Sequence, residues 1–120
     1  YSCASCHTGI ALGGTMQPFE LAAKYKFTSV GDFKGDAQGM VKTPTLRNIT
    51  ETAPYFHNGQ IWSLNDAVKE MGSVQLGITI TDAEASSIVT FLKTLKGVKP
   101  NISYPQLPES TIDTAKPEFN

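Results

Sequence analysis

Two cysteines and a histidine stand at the start of this chain: Cys3 and Cys6 flank two small residues, and His7 follows directly. A Cys-x-x-Cys-His run is the attachment signature of a c-type haem. Each thiol can add across one vinyl group of the porphyrin, and the adjoining imidazole is then placed to bind the iron from one face. The same pair of thiols could otherwise be a redox dithiol, half of a zinc site or a plain disulfide. A thioredoxin-like dithiol calls for a strand-to-helix context and needs no histidine, while a structural zinc needs four ligands. With two Cys and two His in the whole chain, zinc would have to recruit the distant His57. The motif therefore favours haem attachment.

A low-spin, electron-transferring haem takes a second protein ligand, and the candidates are Met16, Met40, Met71 and His57. A thioether raises the potential and a second imidazole lowers it, whereas an open sixth position suits peroxide or oxygen chemistry. Met16 follows His7 too closely to travel comfortably around the porphyrin edge. Met40 ends a Gly-rich polar stretch and has the character of a lid residue. Met71 has distance along the chain and an inward helix position, although a Met on such a stripe is more often core filler. His57, beside two aromatics and an Asn-Gly turn, is as well suited to hydrogen-bond a carbonyl or a propionate. The residues alone leave Met71, His57 and Met40 open.

The elements that must position these groups are legible in part. Residues 1–7 read as the end of a helix, followed by a loop in which Gly9, Gly13 and Gly14 let the backbone pass close to a flat ligand. Residues 21–39 are polar and without period, a surface loop with one short extended piece at 25–27. Thr43-Pro44 predicts a helix start, with a short helix reaching Asn48. Tyr55-Phe56-His57-Asn58-Gly59 is an aromatic segment closing on an Asn-Gly turn. Ser63 is expected to cap a helix whose Leu64, Ala67, Val68 and Met71 share one face, with Gly72 just past its end. Thr81 and Glu84 form a capping box for a last helix with Ala85, Ile88, Phe91, Leu92 and Leu95 on its stripe, stopped by Gly97. Beyond it come four of the seven prolines, so the end of the chain is expected to be an extended tail.

At 120 residues the length suits one domain with a core of its own. Ten Lys and Arg stand against eleven Asp and Glu, with no basic block, and this excludes a nucleic-acid footprint. No apolar run approaches the roughly 18 residues of a membrane span. Asp66, Glu70 and Glu84 read as helix-end and solvent charges with no acid or base role. Covalent haem attachment belongs to extracytoplasmic spaces, so a periplasmic location is expected. No signal peptide precedes Tyr1, and only two residues precede Cys3, so we expect a processed piece of a longer exported protein.

Three segments then carry a resemblance: Lys42-Thr-Pro-Thr-Leu-Arg-Asn-Ile49, Thr52-Ala-Pro-Tyr-Phe-His-Asn-Gly59, and Ser63-Leu-Asn-Asp-Ala-Val-Lys-Glu-Met-Gly72. With the opening Cys-x-x-Cys-His-Thr-Gly, Leu12-Gly-Gly14, Gln75-Leu-Gly77 and Tyr104-Pro-Gln-Leu-Pro108, nearly the whole chain resembles the C-terminal haem domain of bacterial di-haem cytochrome c peroxidases and the related MauG-type enzymes. The resemblance implies an all-α, cytochrome c-like haem domain over residues 1–97, with long loops and an extended Pro-rich tail over 98–120. It implies one covalent haem c held by Cys3 and Cys6, with His7 as proximal and Met71 as distal iron ligand. Arg47 and His57 are implied as propionate or haem-edge partners, a surface salt bridge being the plain alternative for Arg47. Trp62, Tyr55 and Phe56 are placed in the haem pocket or at an interdomain face, or simply in the core. Main-chain carbonyls of Thr52 and Pro54 match those that hold an interdomain calcium in the family, an ion completed by an Asn of a domain this chain lacks.

In function the resemblance implies an electron relay, fed by a small soluble cytochrome c or cupredoxin. It would deliver to a peroxidatic haem in an N-terminal domain of the same parent, where hydrogen peroxide is reduced to water, and the family pairs as homodimers. A stand-alone c-type electron carrier and a MauG-like di-haem oxidase domain are the alternatives. In the MauG-like version a Tyr can replace Met at the distal position, and Met71 argues against it.

Overall fold

The computed structural model describes residues 1–18, 35–106 and 108–115. Its regular elements, among these residues, are two short strands, β1 (Met16–Pro18) and β2 (Met40–Lys42), and two helices, α1 (Leu64–Leu76) and α2 (Asp82–Thr94), with 3-10 turns at Ser2–Ser5 and Ile49–Glu51. The fold is mostly helical and loop-rich, with the two-stranded ribbon as its departure from an all-helical arrangement.

The helix expected after Thr43-Pro44 does not form: residues 43–46 are irregular and follow directly on the ribbon. β1 and β2 pair antiparallel, with Met16 opposite Lys42 and Pro18 opposite Met40. The pairing runs on past the strands: the Thr43 amide donates to the Thr15 carbonyl at 2.9 Å and the Gly14 amide to the Thr43 carbonyl at 2.7 Å. An N-cap residue must offer its carbonyl to the first helical bond, and here the Thr43 carbonyl is taken up across the ribbon by Gly14. Thr43 is buried. Gly13, at φ 146, lies so close to Pro44 that a Cβ would collide with the Pro44 carbonyl oxygen. Most of the polar 21–39 stretch lies outside the described residues, as does its 25–27 piece. Its described end is a turn in which the Asp36 carboxylate accepts from the amides of Gln38 and Met40 at 2.9 and 2.8 Å.

Ser63 caps α1 as expected, accepting from the Asp66 amide at 3.3 Å. The helix does not stop at Gly72 but runs to Leu76 and ends on Gly77 in the left-handed region. Gly72 is buried within it because the Ile80 side chain lies against its Cα. α2 has the full capping box between Thr81 and Glu84. Its buried stripe is Ala85, Val89 and Leu92, whereas Phe91 is 55% exposed, so the inward face is rotated relative to the expected one. The two helices pack together, with Val74 of α1, Ile80 of the connection and Ala85 of α2 buried, and Lys69 of α1 pairs with Asp82 at the start of α2. A second cluster forms from Tyr55, Ile61 and Ala67, joined by Ile49, Phe56 and Leu64. Residues 98–106 and 108–115 are exposed and outside regular helix and strand, as expected for the tail.

Candidate haem site

The attachment residues lie in and just past the 3-10 turn Ser2–Ser5. The amides of Cys6 and His7 donate to the Cys3 carbonyl at 3.3 and 3.0 Å, and the Ser5 hydroxyl reaches back to the Ser2 carbonyl at 2.7 Å. This closes Cys3, Cys6 and His7 into a single turn. No disulfide joins the two cysteines; Cys3 is exposed and Cys6 half-buried. Among the described residues no three His, Cys, Asp or Glu side chains gather to hold a metal ion.

The ring of His7 is oriented by its own loop. Its Nδ1 lies 3.2 Å from the Leu12 carbonyl oxygen, a geometry in which Nδ1 carries the proton and donates. That tautomer leaves the lone pair on Nε2, the nitrogen a metal can take. Two accessible thiols, a half-buried imidazole and a fixed tautomer are the donor set that covalent haem requires, and these residues fit the group. Leu12 stands at φ 51, which an L-residue adopts only when held there. The loop is held in several places: the Leu12 amide donates to Gly9 at 3.0 Å, Gly13 to Thr8 at 2.8 Å, and the Leu46 amide to the same Leu12 carbonyl at 3.1 Å.

Arg47 lies on this loop. Its Nε and Nη2 both donate to the Ile10 carbonyl, at 3.1 and 2.9 Å. The next residue, Asn48, joins the loop to the end of α2. No charge, motif or period in the sequence announces the Leu12 carbonyl or the Asn48 link, since the first is a backbone group and the second reaches a residue far along the chain.

The candidate distal ligands fall in three places. Met16 and Met40 stand on one face of the ribbon, Met16 exposed and Met40 half-buried; the strand fixes Met40 where a lid residue was expected. Met71 is half-buried on α1, beside the buried line of Ala67, Glu70 and Val74. Leu64, Val68 and Met71 thus form the flank of the inward face rather than its centre. Glu70, expected as a solvent charge, is 4% exposed, because its position three residues after Ala67 places it on the same buried line. His57 is exposed in a turn closed by the Gly59 amide on the Phe56 carbonyl at 3.2 Å. Thr52 and Pro54 are also exposed, the Thr52 hydroxyl donating to the Ile49 carbonyl at 3.1 Å.

The aromatics divide. Tyr55 is core, and burial pushes its phenol pKa up, with Glu51 adding to the effect. Trp62 is 72% exposed at a cleft of about 500 Å³ lined also by Asp66, Lys69 and Glu70.

A turn that presents two thiols and an imidazole of fixed tautomer, backed by a loop-rich, mostly helical fold, defines a domain built to carry covalent haem. The family model for cytochrome c matches residues 1–96, and the chain belongs to the cytochrome c family. It is similar to the cytochrome c551 peroxidase of Pseudomonas aeruginosa, 40% identical over 96% of this chain and 36% of that protein. The cytochrome c551 peroxidase of Nitrosomonas europaea is likewise 40% identical, over 95% of this chain and 36% of that protein. The methylamine utilization protein MauG of Methylorubrum extorquens is 34% identical over 56% of this chain and 22% of that protein. The chain spans about a third of the length of the peroxidases it matches. No helix among the described residues is long and apolar enough to cross a membrane.

Proposed function

We propose that this chain is the electron-transferring haem c domain of a periplasmic di-haem peroxidase, relaying electrons from a small soluble cytochrome or cupredoxin. The acceptor is a second haem, in an N-terminal domain of the same parent, at which hydrogen peroxide is reduced to water. The observation that carries the reading is the His7 ring, whose Nδ1 is engaged by the Leu12 carbonyl so that Nε2 is left for iron. Near-complete coverage of the chain by two peroxidases supports the assignment to a peroxidase parent.

Cys3 and Cys6 would hold the haem through two thioethers, and His7 and Met71 would ligate its iron. The bound haem supplies a one-electron Fe(III)/Fe(II) couple, which thioether ligation sets at high potential. With Met71 as ligand the iron would have no place left for peroxide, so this domain would pass electrons on without turning peroxide over. His57 stands as a haem-edge or propionate partner, and residues 1–97 as the haem domain with 98–120 as its tail. The exposed segment containing Thr52 and Pro54 offers main-chain carbonyls to a calcium ion shared with the partner domain, and the parent pairs as a homodimer.

Loading the chain with haem in a host that has the attachment machinery tests this. Expected are the pyridine-haemochrome spectrum of a double thioether, a low-spin ferrous form, the charge-transfer band of thioether ligation in the ferric form, and negligible peroxide turnover. Met71→Ala should abolish that band and open the iron to added ligands. High-spin iron with peroxide turnover in the unaltered chain would overturn the relay assignment.

A further inference from the structure

The segment that follows β2 grips the loop behind His7 at three consecutive carbonyls. Arg47 holds the Ile10 oxygen with two N–H groups, its amide reaches the Ala11 oxygen at 3.4 Å, and the Leu46 amide reaches the Leu12 oxygen at 3.1 Å. The last of these is the oxygen that accepts from His7 Nδ1. The Ile10 side chain is 90% exposed, so apolar packing does not locate this turn; hydrogen bonds do. Among the donors from the 46–47 segment, only the Arg47 side chain is charged, and charged donors make the stronger bonds.

We propose that Arg47 is a positioning residue for His7: by fixing the Ile10–Leu12 carbonyls it sets the hydrogen bond on the imidazole and, through it, the ligand strength of His7. The proposal rests on His7 being the proximal iron ligand. A hydrogen bond from Nδ1 to a carbonyl makes the imidazole more basic and a stronger donor to ferric iron. Loosening the turn weakens that bond, makes His7 a poorer donor to Fe(III) and raises the midpoint potential. Removing a nearby cation has the opposite sign, since a positive charge favours the reduced iron. The two effects are therefore separable.

The test measures the midpoint potential of the haem-loaded chain with Arg47→Met and Arg47→Lys, and amide hydrogen exchange at Leu46 in the haem-free chain. Lysine keeps the charge but cannot present two coplanar N–H groups to one oxygen. Expected are a raised potential in both variants and faster exchange at Leu46. A lowered potential in Arg47→Met with an unchanged one in Arg47→Lys would overturn the proposal in favour of Arg47 acting as a charge, as beside a propionate. An unchanged potential in both, with only a lower melting temperature, would make Arg47 merely structural and equally overturn it. Retention of the unaltered spectrum in His7→Ala would overturn the ligand assignment itself, whatever Arg47 does.

Discussion

Asn48 and Gly97 are joined by a hydrogen bond from the Gly97 amide to the Asn48 side-chain oxygen at 2.7 Å. Asn48 stands in the left-handed region at φ 61, and its own amide donates to the Leu95 carbonyl at 3.2 Å. A single residue thus closes the end of α2 and fixes the point where the chain leaves the His7 loop for the Ile49–Glu51 turn. The nearby Lys96–Glu51 pair, 2.9 Å apart, joins the same two regions, but its side chains are about half exposed and such pairs contribute little.

Asn48→Ala should lose both the hydrogen bond, about 1 kcal/mol, and the tolerance of left-handed backbone, about 1–2 kcal/mol. Asn48→Gly keeps the backbone tolerance and should lose only about 1 kcal/mol. Urea unfolding of the two variants measures the difference. Equal losses would show that the conformation at residue 48 is not what Asn supplies.

The start of α2 makes stability depend on pH. Glu84 accepts from the Tyr1 hydroxyl through one oxygen, and from the Thr81 hydroxyl at 2.7 Å and the Thr81 amide at 2.9 Å through the other. These bonds, that from Tyr1 first, hold its pKa down to about 2 from the ordinary 4.5. A depressed carboxyl pKa contributes stability that is complete above the unfolded value and is lost as pH falls through the folded one. The contribution of Glu84 should therefore decline between about pH 4.5 and about pH 2. Glu84→Gln should flatten the melting temperature across that window, and Tyr1→Phe should narrow the window by letting the Glu84 pKa rise. An unaltered pH profile in Glu84→Gln would sink this account.

What the sequence revealed here follows the kind of interaction involved. Local side-chain chemistry was legible: Ser63 and Thr81 as caps, the Cys3–His7 attachment run, the Asn58-Gly59 turn. Long-range backbone pairing was not, and so Thr43-Pro44 reads as a helix start although Thr15 and Gly14, far back in the chain, draw Thr43 into a ribbon extension. Helix periodicity located α1 and α2 but set their inward faces imprecisely: Val89 is buried and Phe91 exposed, since period alone does not say which side of a stripe a neighbour covers. In the haem site, Cys3, Cys6 and His7 were evident from residue type. The Leu12 carbonyl that orients His7 was not, since every residue has a carbonyl and only the fold selects one.

Gly72 shows the same division and carries the last prediction. Reading it as a stop signal ends α1 too early; in the structure it is small because Ile80 crosses the helix there, and a Cβ would lie 2.5 Å from Ile80 Cδ1 and 2.8 Å from its Cγ1. Gly72→Ala improves helix propensity by about 1 kcal/mol but forces an overpacked contact costing about 1–3 kcal/mol, so a net loss of up to about 2 kcal/mol is expected. Adding Ile80→Val removes the Cδ1 atom and should recover part of that loss, giving a favourable coupling between the two sites in a double-mutant cycle. Because Met71 precedes Gly72 on α1, the haem-loaded Gly72→Ala chain should also show a weakened thioether band that the second substitution restores. Additive free energies would mean that Ile80 yields to the methyl without strain, and an intact thioether band in the single variant would show that Met71 does not depend on this packing.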